Sequence, residues 1–258
     1  MAFKSANLSR LVKFNSAASC KLIDTYEAFV DSKIAARNAE PKHQTFAPSS
    51  FRCPRISWFR LRGVQPDVVK TPDRTLEFTA QLGTACHNVI QENFSELLGD
   101  DWLDVKDYLD SIDFPYEYSV NKNGFEYQIE ILDPPVRFAV DGIVRIDGEV
   151  YLLEIKTSEY SSFDELMNPK DQHIDQIKFY CTLLGLSKCL VLYQDRLYGG
   201  LKCYEVLVTD IEKDEVRAKI KHIQEMVEAN IAPDRLPRED SWCTSSHCPY
   251  YAKCRQWG

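Results

Sequence analysis

The stretch RFAVDGIVRIDGEVYLLEIKT (residues 137–157) decides how this chain is read. Asp147-Gly148 stands between two runs rich in β-branched and aromatic residues. Asp-Gly suits a two-residue type I′ turn, in which both central residues need positive φ. The stretch therefore reads as a hairpin with strands over 137–146 and 149–157. With Ile146 closing the turn against Glu149, facing residues sum to 295 and Asp141 stands opposite Glu154. Bonded and non-bonded pairs alternate away from the turn, so these two acids form a non-bonded pair with Cβ atoms about 4.5–5.5 Å apart. Lys156 shares their face. Phe138, Val140, Val144, Ile146, Tyr151, Leu153 and Ile155 make the opposite, apolar face. Two facing carboxylates repel unless a cation lies between them, and hard oxygen ligands suit Mg2+ or Mn2+. An acidic-x-Lys triplet alone carries little weight, since Glu40-Pro-Lys42 and Asp104-Val-Lys106 also fit it. The offset that pairs Asp141 with Glu154, and the apolar reverse face, give this one its meaning.

Outward from the hairpin, FPYEYSV (114–120) and FEYQIEI (125–131) read as two further strands around Asn-Lys-Asn-Gly. CLVLYQD (189–195) and LKCYEVLVT (201–209) complete the β content. Helical spacing predicts helices over about 17–37 and 75–98, with Leu76, Leu82, Cys86, Val89, Ile90, Phe94 and Leu97 turned inward in the second. A third is expected from Pro169 to about Leu184, capped by Asn168 and stopped by Gly185, and a fourth over 212–231 with Val216, Ile220, Ile223 and Val227 inward. The acidic run between Asp100 and Asp113 reads as a solvated helix face and linker. Helices, then mostly antiparallel strands with a helix inserted, predict an α/β fold with a mixed central sheet flanked by helices. We read 1–258 as a single domain: a basic helical region (1–74), a core (75–232) and a Cys-rich tail (233–258).

The 258 residues are 44% hydrophobic, 12% aromatic and 27% charged, which excludes a wholly disordered chain. No run approaches the ~18 apolar residues of a membrane-crossing helix, and the N-terminus lacks a secretory pattern. A soluble cytoplasmic protein with no membrane partner is expected. The net charge of -8 is unevenly spread: residues 1–74 carry thirteen Lys/Arg against six Asp/Glu, and the remainder eighteen against thirty-three. A polyanion feels the local field. FRCPRISWFRLRG (51–63) interleaves Arg52, Arg55, Arg60 and Arg62 with Phe51, Trp58 and Phe59, which suits phosphate contact beside base stacking. Taken alone, it reads rather as an amphipathic helix with its arginines in water.

Nine cysteines without a secretory pattern point to buried thiols or metal ligands rather than disulfides. Cys243, Cys248 and Cys254 crowd an irregular tail, and three thiolates need a fourth ligand for a tetrahedral zinc or a 4Fe–4S cluster. His247 would complete a Cys3His zinc site.

Asp141-Gly142, Glu154-Ile155-Lys156, the upstream Gly83-x-x-x-His87 and the downstream Gln176-x-x-x-Tyr180 together resemble the PD-(D/E)XK nuclease superfamily. The resemblance is to the branch of RecB-type exonuclease domains and CRISPR-associated iron–sulfur exonucleases, and it covers roughly residues 50–255. It implies a restriction-endonuclease-like core in which His87, Asp141, Glu154 and the carbonyl of Ile155 bind Mg2+ or Mn2+. It also implies that Lys156 positions the attacking water and that Gln176 and Tyr180 line the substrate groove, to which we add Arg55 and Arg60 from the basic segment. Helical i,i+4 spacing is consistent with this, setting Gly83 beside His87, and Gln176 beside Tyr180, with His173 one turn earlier. Glu117 is a further candidate acid. Cys53, in Cys53-Pro54-Arg55, resembles the upstream cysteine that joins Cys243, Cys248 and Cys254 at the iron–sulfur cluster of that branch. The spacing from Cys248 to Cys254 follows its pattern, whereas the gap after Cys243 is two residues longer. The resulting expectation is an Mg/Mn-dependent deoxyribonuclease, an exonuclease acting on single strands or DNA ends by a metal-activated water. It would carry a structural 4Fe–4S clasp, or zinc as the alternative, and work with partner proteins of a recombination, repair or CRISPR-type system. The alternatives are a catalytically weak nucleic-acid-binding or assembly subunit of the same fold, and a zinc-stabilised protein-interaction module.

Overall fold

The structure is a computed structural model that describes residues 16–40, 43–67, 73–237, 239–240, 242–245 and 248–257. In chain order its helices are α1 (Ala17–Ala39), α2 (Pro54–Leu61), α3 (Arg74–Leu98), α4 (Val105–Ser111), α5 (Tyr160–Asp164), α6 (Asp171–Leu184), α7 (Asp210–Glu228) and α8 (Tyr251–Gln256). Its strands are β1 (Trp102–Leu103), β2 (Tyr118–Asn123), β3 (Glu126–Ile131), β4 (Val136–Val140), β5 (Gly142–Ile146), β6 (Glu149–Ser158), β7 (Lys188–Asp195) and β8 (Leu201–Leu207).

The chain divides into two compact units, Met1–Pro41 with Val69–Thr79, and Lys42–Val68 with Ala80–Gly258. In the first, α1 starts on Ser16, whose side chain accepts from the amide of Ser19. Arg74 bonds Glu27 at 2.5 Å and Asp31 at 2.7 Å, and Arg37 bonds Glu77 at 2.6 Å.

The central sheet of the second unit has the order β1-β5-β6-β7-β8, mixed because β6 and β7 run parallel while the other pairs are antiparallel. A parallel pair needs a crossover, and α5 and α6 supply it. Helices flank the sheet. On one face Val144, Leu153, Ile155 and Leu192 pack with Ile90, Phe94 and Leu98 of α3. On the other, Ile143, Leu152, Val191 and Tyr193 join the main core with Ile177 and Phe179 of α6, Ile220 and Ile223 of α7 and Trp58 and Phe59 of α2. A second sheet, β2-β3-β4, contributes Ile129, Phe138 and Val140 to that core.

The decisive hairpin has the expected register: Ile146 pairs with Glu149 and Gly142 with Leu153, around an Asp147-Gly148 turn with φ of 51° and 84°. Its first strand is not continuous, however. It breaks at Asp141, so that β4 belongs to the small sheet and β5 to the central one. One open and one apolar face is therefore too simple. Both faces of β5 and β6 are covered, Leu152 on Glu154's own face is fully buried, and Ile146 at the hairpin tip is exposed.

Other elements differ from expectation for tertiary reasons. On α3 Ile90 is buried, but Leu76, Leu82, Val89 and Leu97 face water, because the helix turns His87 and Gln91 toward Asp141 instead. The acidic stretch forms the edge strand β1 and then α4, with Asp104 capping the amides of Lys106 and Asp107 and Val105 and Leu109 buried. β2 runs on through Asn123, leaving Gly124-Phe125 as the turn, with Gly124 at φ 65°. Finally, α6 begins at Asp171 rather than Pro169: Lys170 is still extended, its amide donating to the Tyr193 hydroxyl at 3.2 Å. The helix ends on Gly185 at φ 69°, as read from the sequence.

Candidate active site

The break at Asp141 builds the site. Had β4 and β5 formed one strand, the alternation of the ladder would have presented the Ile155 amide to the Val140 carbonyl. Instead the Asp141 side chain takes that role, Oδ2 accepting from the Ile155 amide at 2.6 Å. Its Oδ1 lies 3.1 Å from His87 Nδ1, and its backbone carbonyl accepts from Gln91 Nε2 at 2.7 Å. Gly142 is required here, since a Cβ on it would lie 2.7 Å from the ring of Trp102 on β1.

Glu154 and Lys156, one pleat apart on β6, form an ion pair at 2.5 Å. Lys156 Nζ also donates to Gln176 Oε1 at 3.1 Å, and Gln176 Nε2 donates to the Tyr180 hydroxyl at 2.7 Å. Sequence spacing thus finds its physical expression: α6 sets Gln176 and Tyr180 one turn apart to reach over the end of β6. His173 lies on the same stripe but turns away, its Nδ1 2.6 Å from the Tyr193 hydroxyl.

These groups line one solvent-open cleft of about 360 Å3, where His87, Asp141, Glu154, Lys156, Gln176 and Tyr180 meet Gly83, Thr84, Asn88, Gln91, Glu126 and Ala139. Gly83 faces Thr157 rather than the imidazole, and a Cβ there would make only ordinary contact at 3.5 Å. Gln91 was missed from sequence, although it continues the Gly83, His87 series at i+8. Glu126 left no local trace, because its place depends on the small sheet folding over the cleft. Glu117 is exposed and does not line it.

Burial pushes the carboxyl of Glu154 up to about 7, against the pull of Lys156 and with the help of Asp141. Burial works against the charge on Lys156, but Glu154 outweighs it and holds the amine above its ordinary range. His87 is likewise raised: burial opposes its charge, and the Asp141 contact prevails. Burial lifts the Tyr180 phenol well above its ordinary value. The site therefore presents an ammonium and hydrogen-bond donors beside acidic oxygens.

The basic segment has a different fate. Phe51, Trp58 and Phe59 are core residues. Arg52 is paired with Asp175 at 3.0 Å and Asp240 at 3.1 Å. Arg55 is buried, and its Nε donates to the Pro233 carbonyl at 2.6 Å. Arg60 Nε donates to the Thr45 carbonyl at 3.2 Å, and Arg62 stacks 4.5 Å above Trp58. None of the four lines the cleft. The segment neither displays its aromatics nor turns its arginines to water; residues 68–72 of the basic region lie outside the described residues.

Cys53, at the start of α2, and Cys243, Cys248 and Cys254 line a second small cavity with Ile56, Arg235, Leu236, Trp242, Tyr251 and Arg255. The tail thus returns to α2. His247 lies outside the described residues. All nine cysteines are free thiols. Among the described residues, no three His, Cys, Asp or Glu side chains approach closely enough to hold a single ion, in the tail or in the cleft. In the cleft a physical reason is visible: Lys156 occupies one Glu154 oxygen, while Asp141 is engaged by Ile155 and His87.

No family model and no curated protein matches the chain. Among solved structures it is similar to SSO0001, at 16% identity over 88% of this chain and 97% of that one, with a TM-score of 0.45. It is also similar to the alkaline exonuclease LHK-Exo from Laribacter hongkongensis, at 21% identity over 48% of this chain and 63% of that one, with a TM-score of 0.35. The complex of LHK-Exo with dAMP gives the same values. At that distance, neither match defines the chemistry of this chain, which has to come from its own side chains. Among the described residues, no helix is long and apolar enough to cross a membrane.

Proposed function

We propose that this chain is a metal-dependent DNA nuclease with a restriction-endonuclease-like core of the PD-(D/E)XK type, an exonuclease working in the cytoplasm on single strands or DNA ends. One observation carries the reading: His87 from α3, Asp141 from the β4–β5 break, and Glu154 and Lys156 from β6 converge on one open cleft. The donor set fits a hard divalent cation, with carboxylate oxygens, an imidazole and the Ile155 carbonyl as ligands. Mg2+ or Mn2+ bound there would supply a Lewis acid for the phosphoryl oxygens and lower the pKa of a water. The protein's own part is orientation. Ile155 and His87 fix the Asp141 carboxylate, Gln91 fixes its backbone, and Gln176 aims the Lys156 ammonium, which stays charged and so donates hydrogen bonds rather than taking a proton. Gln176 and Tyr180 form the wall against which a strand would lie.

We also propose that Cys53, Cys243, Cys248 and Cys254 hold a structural 4Fe–4S cluster, with zinc as the alternative. Support comes from their shared cavity and from Arg235 in its lining, whose buried Nε has no hydrogen-bond partner among the described residues. Such a centre would tie α2 to the tail, making metal affinity part of folding free energy. Anaerobic purification with iron, sulfide and zinc analysis tests it, and a stable metal-free protein would end it.

For the nuclease itself, labelled linear and circular DNA, single- and double-stranded, is incubated with Mg2+ or Mn2+. Cleavage of linear DNA is expected, with Asp141→Ala and Lys156→Ala each losing at least ~100-fold, the scale for removing one preorganised electrostatic group. Cleavage without metal, or undiminished in the variants, refutes the assignment. A nucleic-acid-binding subunit with little activity is the second reading, favoured by the Lys156–Glu154 pair that fills a ligand position; DNA binding without cleavage would select it. Partner proteins of a recombination, repair or CRISPR-type system belong to either reading.

A further inference from the structure

Arg55 is the one buried arginine of the 51–63 segment. Only 6% of it is exposed, yet no ion pair joins it to any carboxylate among the described residues. Its neighbour Arg52, far less buried, has two. The partners of Arg55 are the Pro233 carbonyl at 2.6 Å, the Cys254 carbonyl at 3.1 Å and the Cys254 thiol, with Nη1 to Sγ at 3.7 Å. Neutral carbonyls accept from Nε and Nη1 but do not balance the charge, and a buried charge needs a counter-charge. The cysteine cavity repeats the imbalance, since Arg235 and Arg255 line it and, among the described residues, no Asp or Glu does. Four thiolates around a dication leave two negative charges in excess, and the same excess surrounds a cubane held by four cysteines.

We infer that Arg55 is the charge-compensating positioning residue of the cysteine centre, holding Cys254 by an N–H···S bond and balancing the negative charge of the metal-bound thiolates. This rests on the proposal that these cysteines bind metal. Outer partners of this kind typically change metal affinity 10–100-fold.

The test uses the full chain purified anaerobically, with Arg55→Gln, which keeps a donor without the charge, and Arg55→Lys, which keeps the charge. Metal per chain is measured against rising chelator, and thermal unfolding is followed before and after stripping. Arg55→Gln should release its metal at 10–100-fold lower chelator than wild type. Arg55→Lys should stay close to wild type, and the Gln variant should lower Tm more in the metal-loaded protein than in the stripped one. Equal retention in Gln and wild type, a Lys variant no better than Gln, or the same Tm loss with and without metal overturns the inference. Failure of both variants to fold overturns it too, leaving Arg55 a mere tie for the tail carbonyls. A metal-free wild type instead removes the premise, and with it the inference.

Discussion

The carboxylate of Asp141 hydrogen-bonds the backbone amide of Ile155 at 2.6 Å, so a side chain completes a ladder that the backbone abandons. Stability and chemistry thereby share one group. Asp141→Ala leaves the Ile155 amide without an acceptor in a buried setting, which costs about 1–3 kcal/mol. Asp141→Asn keeps an acceptor oxygen but loses the charge. Urea unfolding should therefore separate the two variants by at least about 1 kcal/mol while both lose metal-dependent cleavage. Equal stabilities would mean that the bond contributes nothing.

Glu154 is buried against Lys156. Breaking such a pair from one side strands a charge, at about 3–5 kcal/mol, whereas replacing both partners is far milder. Lys156→Met should thus be strongly destabilised at pH 8, and Glu154→Gln combined with Lys156→Met should recover most of that loss while remaining inactive. A double-mutant cycle in urea measures the coupling, and additive effects would contradict a working pair.

Gly142→Ala places a methyl 2.7 Å from the Trp102 ring, a distance Cβ atoms do not tolerate. Overpacking of this sort costs roughly 1–3 kcal/mol. Trp102→Leu in the same chain should relieve it, so that the double variant unfolds at a higher temperature than Gly142→Ala alone.

Burial, aided by the charges of Lys156 and Lys170, pulls the imidazole of His173 down to about 3. The unfolded chain takes up this proton near the ordinary value of 6.5, the folded chain only near 3. Its stabilising contribution is therefore complete above about pH 6.5 and lost as pH falls toward 3. His173→Asn should flatten that part of the stability–pH curve, with the variant gaining on wild type between pH 6 and 4. Parallel curves for the two proteins would remove His173 from the acid response.

Much of this was legible beforehand, and for identifiable reasons. Asp147-Gly148 dictates a turn with positive φ at both residues, and a two-residue turn dictates the register, so the Gly142–Leu153 pairing followed by counting. The Gln176–Tyr180 spacing followed equally from helical geometry and ends in a real hydrogen bond. The fourth expected helix, α7, begins at Asp210 rather than 212, because Thr209 and Glu212 form a capping box that was missed from sequence. The fate of Arg55, Arg60, Trp58 and Phe59 was not legible, because interleaved charge and aromaticity suits a strand of nucleic acid and a tail of the same chain equally well.

The amino-acid sequence by itself determined the Asp147-Gly148 turn and its register, the alternation of helices and strands, and the clustering of three cysteines, since each depends on residues within a few positions of one another. Only the tertiary structure decided that the strand breaks at Asp141, that Gln91 and Glu126 join the cleft, that α3 turns His87 toward Asp141 and leaves Leu76, Leu82 and Leu97 in water, and that Arg55 is buried beside Cys254. Those outcomes balance burial and hydrogen-bond satisfaction between segments far apart in the chain, and no local pattern records that balance.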